Sequence, residues 1–239
     1  MKKHYHPAES RGHANHGWLD SWHSFSFANY YNPDKIQFGA LRVLNDDTVD
    51  PGRGFGQHPH DNMEIISIPL EGVLSHGDNQ GNKGMIRKND VQVMSAGTGI
   101  VHSEMNGSQT DPVKFLQIWV FPNKKDVEPR YQQLTLNPRN RQNKLQQIIS
   151  PDKNEEGAWI HQDAWFHIGH LEEKISTTYQ FRKPDNGVYI FVISGKFNID
   201  GQILNPRDAL SVSEIEYFDI VPEETGEILI MEVPLNGFQ

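Results

Sequence analysis

Cysteine is absent from this chain of 239 residues, which excludes disulfides and thiolate ligands, and with them any Cys-rich zinc or iron–sulfur site. Any metal must be carried by histidine and carboxylate. Long apolar runs are missing as well. Nothing approaches the roughly eighteen apolar residues of a membrane-spanning helix, and the Met1-Lys-Lys-His-Tyr-His6 start has no apolar stretch behind it. A cytoplasmic protein with no membrane partner is the expectation. Positive charge is scarce: 22 Lys and Arg stand against 31 Asp and Glu, for a formal charge of -9 that disfavours direct nucleic-acid binding. From Asp208 onward there are eight acidic residues and no Lys or Arg, so the C-terminal part is expected to form an acidic surface. Such a surface is either a solvated face or a docking face for a basic protein partner.

Helical periodicity over ten or more residues is also lacking, and short β-type runs take its place. They are Trp22–Phe27, Leu41–Leu44, Met63–Leu70, Val91–Met94 and Phe115–Phe121, then Trp159–Leu171, Val188–Ile193, Lys196–Ile199, Ala209–Val212, Ile215–Val221 and Ile228–Val233. Each is rich in β-branched or aromatic residues and bounded by turn formers, the pattern of an all-β barrel or sandwich. Residues 123–144 are polar, contain Pro129 and Pro138, and read as a connecting segment between an N-terminal domain, 1–122, and a C-terminal domain, 145–239. Leu70-Glu-Gly72-Val73 and Ile193-Ser-Gly195-Lys196 both place a glycine turn between an apolar strand and the next strand, a weak internal repeat of hairpin type.

Chemistry concentrates in Gly52-Arg-Gly-Phe-Gly-Gln-His58-Pro-His60-Asp-Asn-Met-Glu64 and in His102-Ser-Glu104. Residues i and i+2 of a strand project to the same side, so each pair aims two ligand-type side chains at one point. Three imidazoles and a carboxylate suit Fe, Mn, Ni, Co, Cu or Zn rather than Ca or Mg, and such a set leaves an octahedral ion open positions for catalysis. Gly52, Gly54 and Gly56 precede the first pair, and Ala96-Gly-Thr-Gly99 precedes the second, as expected where backbone bends tightly. Glu64 has the parity of His58 and His60 on an unbroken strand, so geometry leaves it open as an alternative to Glu104. His13, His16 and His23 share no strand face and read as structural. His76 is expected to follow the ligand strand across a turn, and His161, His167 and His170 lack a companion carboxylate and glycine bend, which argues against a second metal. Phe55, Met63 and Trp119 are apolar residues near the motifs that could cover a flat aromatic substrate.

These segments resemble the cupin superfamily. Gly52, His58, His60, Glu64 and, one residue late, Gly72 match its G-x5-H-x-H-x3-E-x6-G motif. Gly99, His102 and Asn106 match its second motif, in which Val91 and Gly97 replace the usual Gly and Pro. More specifically, Arg11-Gly-His-Ala-Asn-His-Gly17-Trp18, Ser24-Phe-Ser-Phe-Ala-Asn-Tyr-Tyr31, Leu41-Arg-Val-Leu-Asn-Asp-Asp47 and Met94-Ser-Ala-Gly-Thr-Gly-Ile-Val-His-Ser-Glu104 resemble the pirin family. That resemblance implies two tandem cupin barrels of jelly-roll-like double-stranded β-helix type, the first binding metal and the second without ligands. It implies His58, His60, His102 and Glu104 as the ligands, and one divalent transition metal, Fe(II) first. It further implies a quercetinase-type dioxygenase that opens a flavonol with O2 and releases CO, with Glu104 as proton acceptor. Pirin relatives also resemble transcription coregulators, so a redox-sensing protein acting through partners is the alternative.

Overall fold

The structure, a computed structural model, describes residues 1–237. Strands dominate: β1 (Lys2–His6), β2 (Gly12–Asn15), β3 (Leu19–His23), β4 (Leu41–Val49), β5 (Gly54–His60), β6 (Glu64–Glu71), β7 (Val73–Asp78), β8 (Lys83–Arg87), β9 (Asp90–Ser95), β10 (Ile100–Asn106), β11 (Val113–Val120) and β12 (Arg130–Thr135). There follow β13 (Leu145–Ser150), β14 (Ala158–Trp159), β15 (Trp165–Leu171), β16 (Thr177–Gln180), β17 (Asn186–Val192), β18 (Lys196–Ile199), β19 (Gln202–Leu204), β20 (Ala209–Ser213), β21 (Tyr217–Glu224) and β22 (Gly226–Pro234). Among the described residues helix is confined to two 3₁₀ turns, Ala8–Ser10 and Pro138–Arg141. The expected all-β class, a pair of jelly-roll-like units, is what the chain forms.

One unit comprises residues 12–136 and 158–162. Its larger sheet runs in the order β12-β9-β6-β11-β4-β3-β2 and its smaller sheet β5-β10-β7-β8. The other unit comprises residues 1–11, 137–157 and, among the described residues, 163–237. Its larger sheet contains β1-β20-β17-β22-β15-β13 and its smaller sheet β16-β21-β18-β19, so the two units repeat one topology. Strand pairing divides the chain differently from the sequence boundaries at 122 and 145. The segment read as a connector contains β12, which pairs with β9 from Arg130↔Ser95 to Thr135↔Asp90. The first residues form β1, which pairs with β20 from Lys2↔Ser213 to His6↔Ala209. Each covers a sheet edge that would otherwise expose unpaired backbone groups, a non-local requirement that local composition does not signal.

The two glycine turns differ from the hairpin expectation in an informative way. Gly72 and Gly195 both have φ 76, a conformation that favours glycine, and each carries the chain out of the larger sheet into the smaller one. The acidic surface is also less complete than composition implied. Glu214, Glu216, Asp219, Glu223 and Glu224 are exposed, whereas Asp208 and Glu232 are buried. Glu232 accepts from Tyr179 Oη and from the backbone N–H groups of Arg182 and Lys183, a structural use of a carboxylate.

The second unit holds an apolar cluster in which Val188, Ile190, Phe197, Ile199, Phe218 and Ile228 are fully buried. In the first unit one apolar cluster gathers around Val49, Leu74, Val113 and Phe115 and another around Ile65, Met94 and Ile100. Along the inner face of β11, Phe115 belongs to one cluster and Trp119 packs on the other, with Gln117 between them. The polar residues of the site occupy this interval.

Candidate metal centre

The ligand strands β5 and β10 are paired, but not evenly. His102 lies opposite His58, whereas Glu104 lies opposite Phe55, so β5 carries one extra residue in the interval, a β-bulge at Gly56–Gln57. The bulge resets strand parity and turns Phe55, His58 and His60 to the same inner side. Gly54 fits there because a Cβ would lie 2.3 Å from the Glu104 carbonyl oxygen and 2.5 Å from Met105 Cα. On β10 the alternation is regular, and Ile100, His102, Glu104 and Asn106 all face inward and are buried.

The result is a cluster of three imidazoles. His58, His60 and His102 present ligand atoms that all lie within 4.8 Å of one another. Their hydrogen bonds select the nitrogen that faces the centre. His58 Nδ1 donates to the Gly56 carbonyl at 2.8 Å, leaving Nε2 as a bare lone pair. His102 Nδ1 lies 3.5 Å from His76 Nδ1, and His76 Nε2 is held by Asp78 at 3.1 Å. Since the Asp78 carboxylate only accepts, His76 Nδ1 must be the acceptor and His102 Nδ1 the donor, which bares His102 Nε2. Nε2 of His60 and of His102 is buried with no hydrogen-bond partner. Burial, with the His58 ring beside it, lowers His60 to about 4, and burial lowers His102 too, so both imidazoles stay neutral at ordinary pH. Neutral, partnerless, convergent nitrogens are what a borderline divalent metal requires, and the donor set fits one.

The two carboxylates separate clearly. Glu104 Oε1 lies 3.0 Å from Ser67 Oγ, and Oε2 accepts from Gln117 Nε2 at 3.1 Å. Burial pushes its carboxyl up to about 7 against the pull of those donors. The close group of ligand atoms comprises the three imidazoles and does not include Glu104. Glu64 is elsewhere: it accepts from Ser95 Oγ at 2.7 Å and meets His161 Nδ1 at 3.1 Å. The parity that kept Glu64 open presupposed an unbroken strand. The chain breaks at Asp61–Met63, where Asn62 has φ 42, and β6 enters the other sheet.

A cavity of about 580 Å³ opens beside the cluster. His58 and Glu104 reach its wall, which is otherwise rich in aromatic groups, including Trp18, Phe27, Phe55, Phe115 and Trp119. Of the three expected apolar covers, Phe55 and Trp119 line this cavity, and Met63 packs instead against the Ile65 cluster. His13, His16 and His23, read as structural, also line it.

Comparison with known proteins covers both halves of the chain. Residues 5–120 match the pirin family, and residues 147–233 match the quercetinase C-terminal cupin domain. The quercetin 2,3-dioxygenase of Escherichia coli K12 is 41% identical over 227 residues, covering 95% of this chain and 96% of that protein. This chain belongs to the pirin family. A pirin-like protein of Caulobacter vibrioides is 36% identical over 95% of the chain and 97% of its own length. The solved structure of the bacterial pirin YhhW from Escherichia coli, in complex with nickel(II), superposes with a TM-score of 0.92 at 39% identity, covering 98% of this chain and 99% of that one.

Several residues of this pirin site escaped sequence reasoning. His76 is opposite Glu104 in register, and its ring stacks on Tyr131 at 4.7 Å between centroids. His76→Phe keeps the ring and removes the acceptor for His102, so metal affinity should fall by about 10–100-fold, the usual cost of losing an outer-shell partner. Competition with a chromophoric chelator measures it. Asp47 is the other omission. It is buried, it accepts from Ser21 Oγ, and burial pushes it up to about 7. Its signal was present: Leu41, Val43, Asn45, Asp47 and Val49 alternate on the inward face of β4, so two polar residues occupy core positions.

Because the folded-state value of Asp47 lies above the ordinary carboxylate value of 3.8, the associated stability is complete below about pH 4 and is lost as pH rises through about 7. Asp47→Asn should remove up to about 4 kcal/mol of this pH dependence. Urea midpoints of both proteins at pH 4.5 and 8 give the difference.

Proposed function

We propose that this chain is a mononuclear metal-dependent dioxygenase of the quercetinase type, which opens a flavonol ring with O2 and releases CO. The observation that carries the reading is the junction of three bare imidazole nitrogens with an aromatic cavity whose wall includes a buried carboxyl of pKa about 7. His58, His60 and His102 would hold the ion, Fe(II) in the first instance, with Glu104 as the fourth ligand or its near neighbour. When bound, the metal supplies Lewis acidity that acidifies a substrate hydroxyl and a path for electron density toward dioxygen.

The chain's own residues do the rest. Glu104 is poised to accept the proton of the flavonol hydroxyl, since a base works best when its pKa lies near the working pH. Ser67 Oγ and Gln117 Nε2 keep its oxygens oriented and stabilise the carboxylate form. Phe55, Phe115 and Trp119 offer flat apolar surface that holds an aromatic substrate and displaces water, which strengthens each polar contact inside. Nickel(II) in the YhhW structure supports a divalent transition metal at this site.

The test is anaerobic reconstitution with Fe(II), Mn(II), Co(II), Ni(II), Cu(II) or Zn(II), followed by quercetin absorbance, oxygen uptake and CO detection. Stoichiometric metal with no flavonol loss for any ion would sink the dioxygenase reading and leave the metal site standing.

A further inference from the structure

Cross-strand register places four polar side chains in one row on the inner face of the larger sheet. His23 is opposite Asn45, Asn45 opposite Gln117, and Gln117 opposite Ser67. In the next row Ser21 is opposite Asp47, and Asp47 opposite Phe115. Gln117 and Ser67 are occupied with Glu104. The other end of the row has no such employment, although Ser21, His23, Asn45 and Asp47 are each only 3% exposed and all line the cavity.

Hydrogen-bond direction there can be worked out. With Asp47 ionised, above about pH 7, Ser21 Oγ donates its single proton to Asp47 Oδ1, so toward His23 Nε2, 2.8 Å away, it acts as acceptor. His23 therefore carries its proton on Nε2, and its Nδ1 is a bare acceptor. That Nδ1 is buried without a partner, and so is Asn45 Oδ1 on the adjacent strand. An unmatched buried acceptor is a net cost to folding, so two side by side are maintained against the stability of the fold. Both are satisfied together by a ligand that brings two neighbouring O–H donors into an aromatic-walled space. The row also sets a length. From β11, where Gln117 meets Glu104, to β3, where His23 lies, is two strand spacings, about 10 Å, the span of two or three linked six-membered rings.

We propose that His23 Nδ1 and Asn45 Oδ1 form a hydroxyl-recognition subsite that receives the vicinal ring hydroxyls of a polyphenol whose reacting end faces His58 and Glu104. The placement of the reacting end rests on the flavonol reading above; the subsite itself rests on the two partnerless acceptors. The substrate class is thereby narrowed from aromatic compounds in general to those carrying a catechol-type ring.

The test uses the Fe(II)-loaded protein under anaerobic conditions, where ligands bind without turnover. Calorimetric titration compares quercetin, which carries vicinal hydroxyls on its pendant ring, with galangin, the flavonol lacking both, and with catechol itself. Wild-type protein should favour quercetin over galangin by about ten- to a hundredfold, the equivalent of one or two net hydrogen bonds. In Asn45→Leu and in His23→Phe, each of which removes one acceptor, the ratio should fall by about tenfold, and Asn45→Asp, which keeps an acceptor, should restore most of it. A thermal unfolding midpoint for each variant confirms folding, and where one does not fold the wild-type ratio decides. Equal wild-type affinities for quercetin and galangin, or a preference that survives both substitutions, overturn the subsite even if both flavonols are consumed on admitting oxygen. A preference that behaves as expected with no subsequent turnover upholds the subsite and overturns the dioxygenase reading. No binding of quercetin, galangin or catechol overturns both.

Discussion

His102→Ala protein should emerge from purification and desalting with metal reduced from about one equivalent to background. Of the three imidazoles, His102 is the most deeply buried, its Nε2 has no protein partner, and its ring lies 4.4 Å from His58 and 5.0 Å from His60. Removing it deletes one of three convergent donors and leaves a half-buried pair on a single strand. A thermal measurement gives a second readout. A metal at a thousandfold excess over its dissociation constant stabilises the folded state by about 4 kcal/mol. For a chain of this size that corresponds to roughly 10 °C in unfolding midpoint. The increment between metal-free and metal-loaded samples should be present in wild type and absent in His102→Ala. Taking the difference within each protein cancels the packing lost with the imidazole. Full metal retention by the variant, measured by plasma mass spectrometry, would show that the ligand assignment is wrong.

The second large effect concerns Glu104. Glu104→Gln preserves shape and keeps one oxygen as acceptor for Gln117 Nε2 but cannot take a proton, so flavonol turnover should fall by about 10²–10⁴-fold, the usual contribution of a positioned base. The pH profile separates this role from simple metal loss. Ionised Glu104 is the active form, so kcat/KM should rise with pH and level off at or below about 7, the value that burial gives its carboxyl. A cation at the imidazoles favours the carboxylate and moves that limb to lower pH. In Glu104→Gln the acid limb should vanish while metal content stays near wild type. Normal turnover by a metal-replete Glu104→Gln protein would falsify the base assignment.

The convergence of the histidines was legible because its information is local. His58 and His60, like His102 and Glu104, are paired by the two-residue repeat of an extended chain, and Gly54 marks a place where backbone approaches backbone. The all-β class was legible for a similar reason, since strand length and turn residues are properties of neighbours in sequence. β5, β7, β8 and β10 fall outside the apolar runs because they carry glycines and polar residues; β5 and β10 were legible through the same-side spacing of their ligand pairs, and β7 through the glycine turn before it.

What the sequence by itself determined is therefore the class of fold, the pirin resemblance and the identity of the histidines that converge. The tertiary structure decided how they are used. Pairing of β5 with β10 placed the bulge that turns Phe55 inward with the two histidines, and pairing of β7 with β10 brought His76 and Asp78 behind His102. The break at Asn62 removed Glu64 to the other sheet, while Ser67 and Gln117, far apart in sequence, converged on Glu104. The row from His23 to Ser67 exists only because four strands are held in one register. Strand order and register are fixed by burial across the whole domain rather than by any one segment, and a one-residue slip would turn each of these side chains to the opposite face.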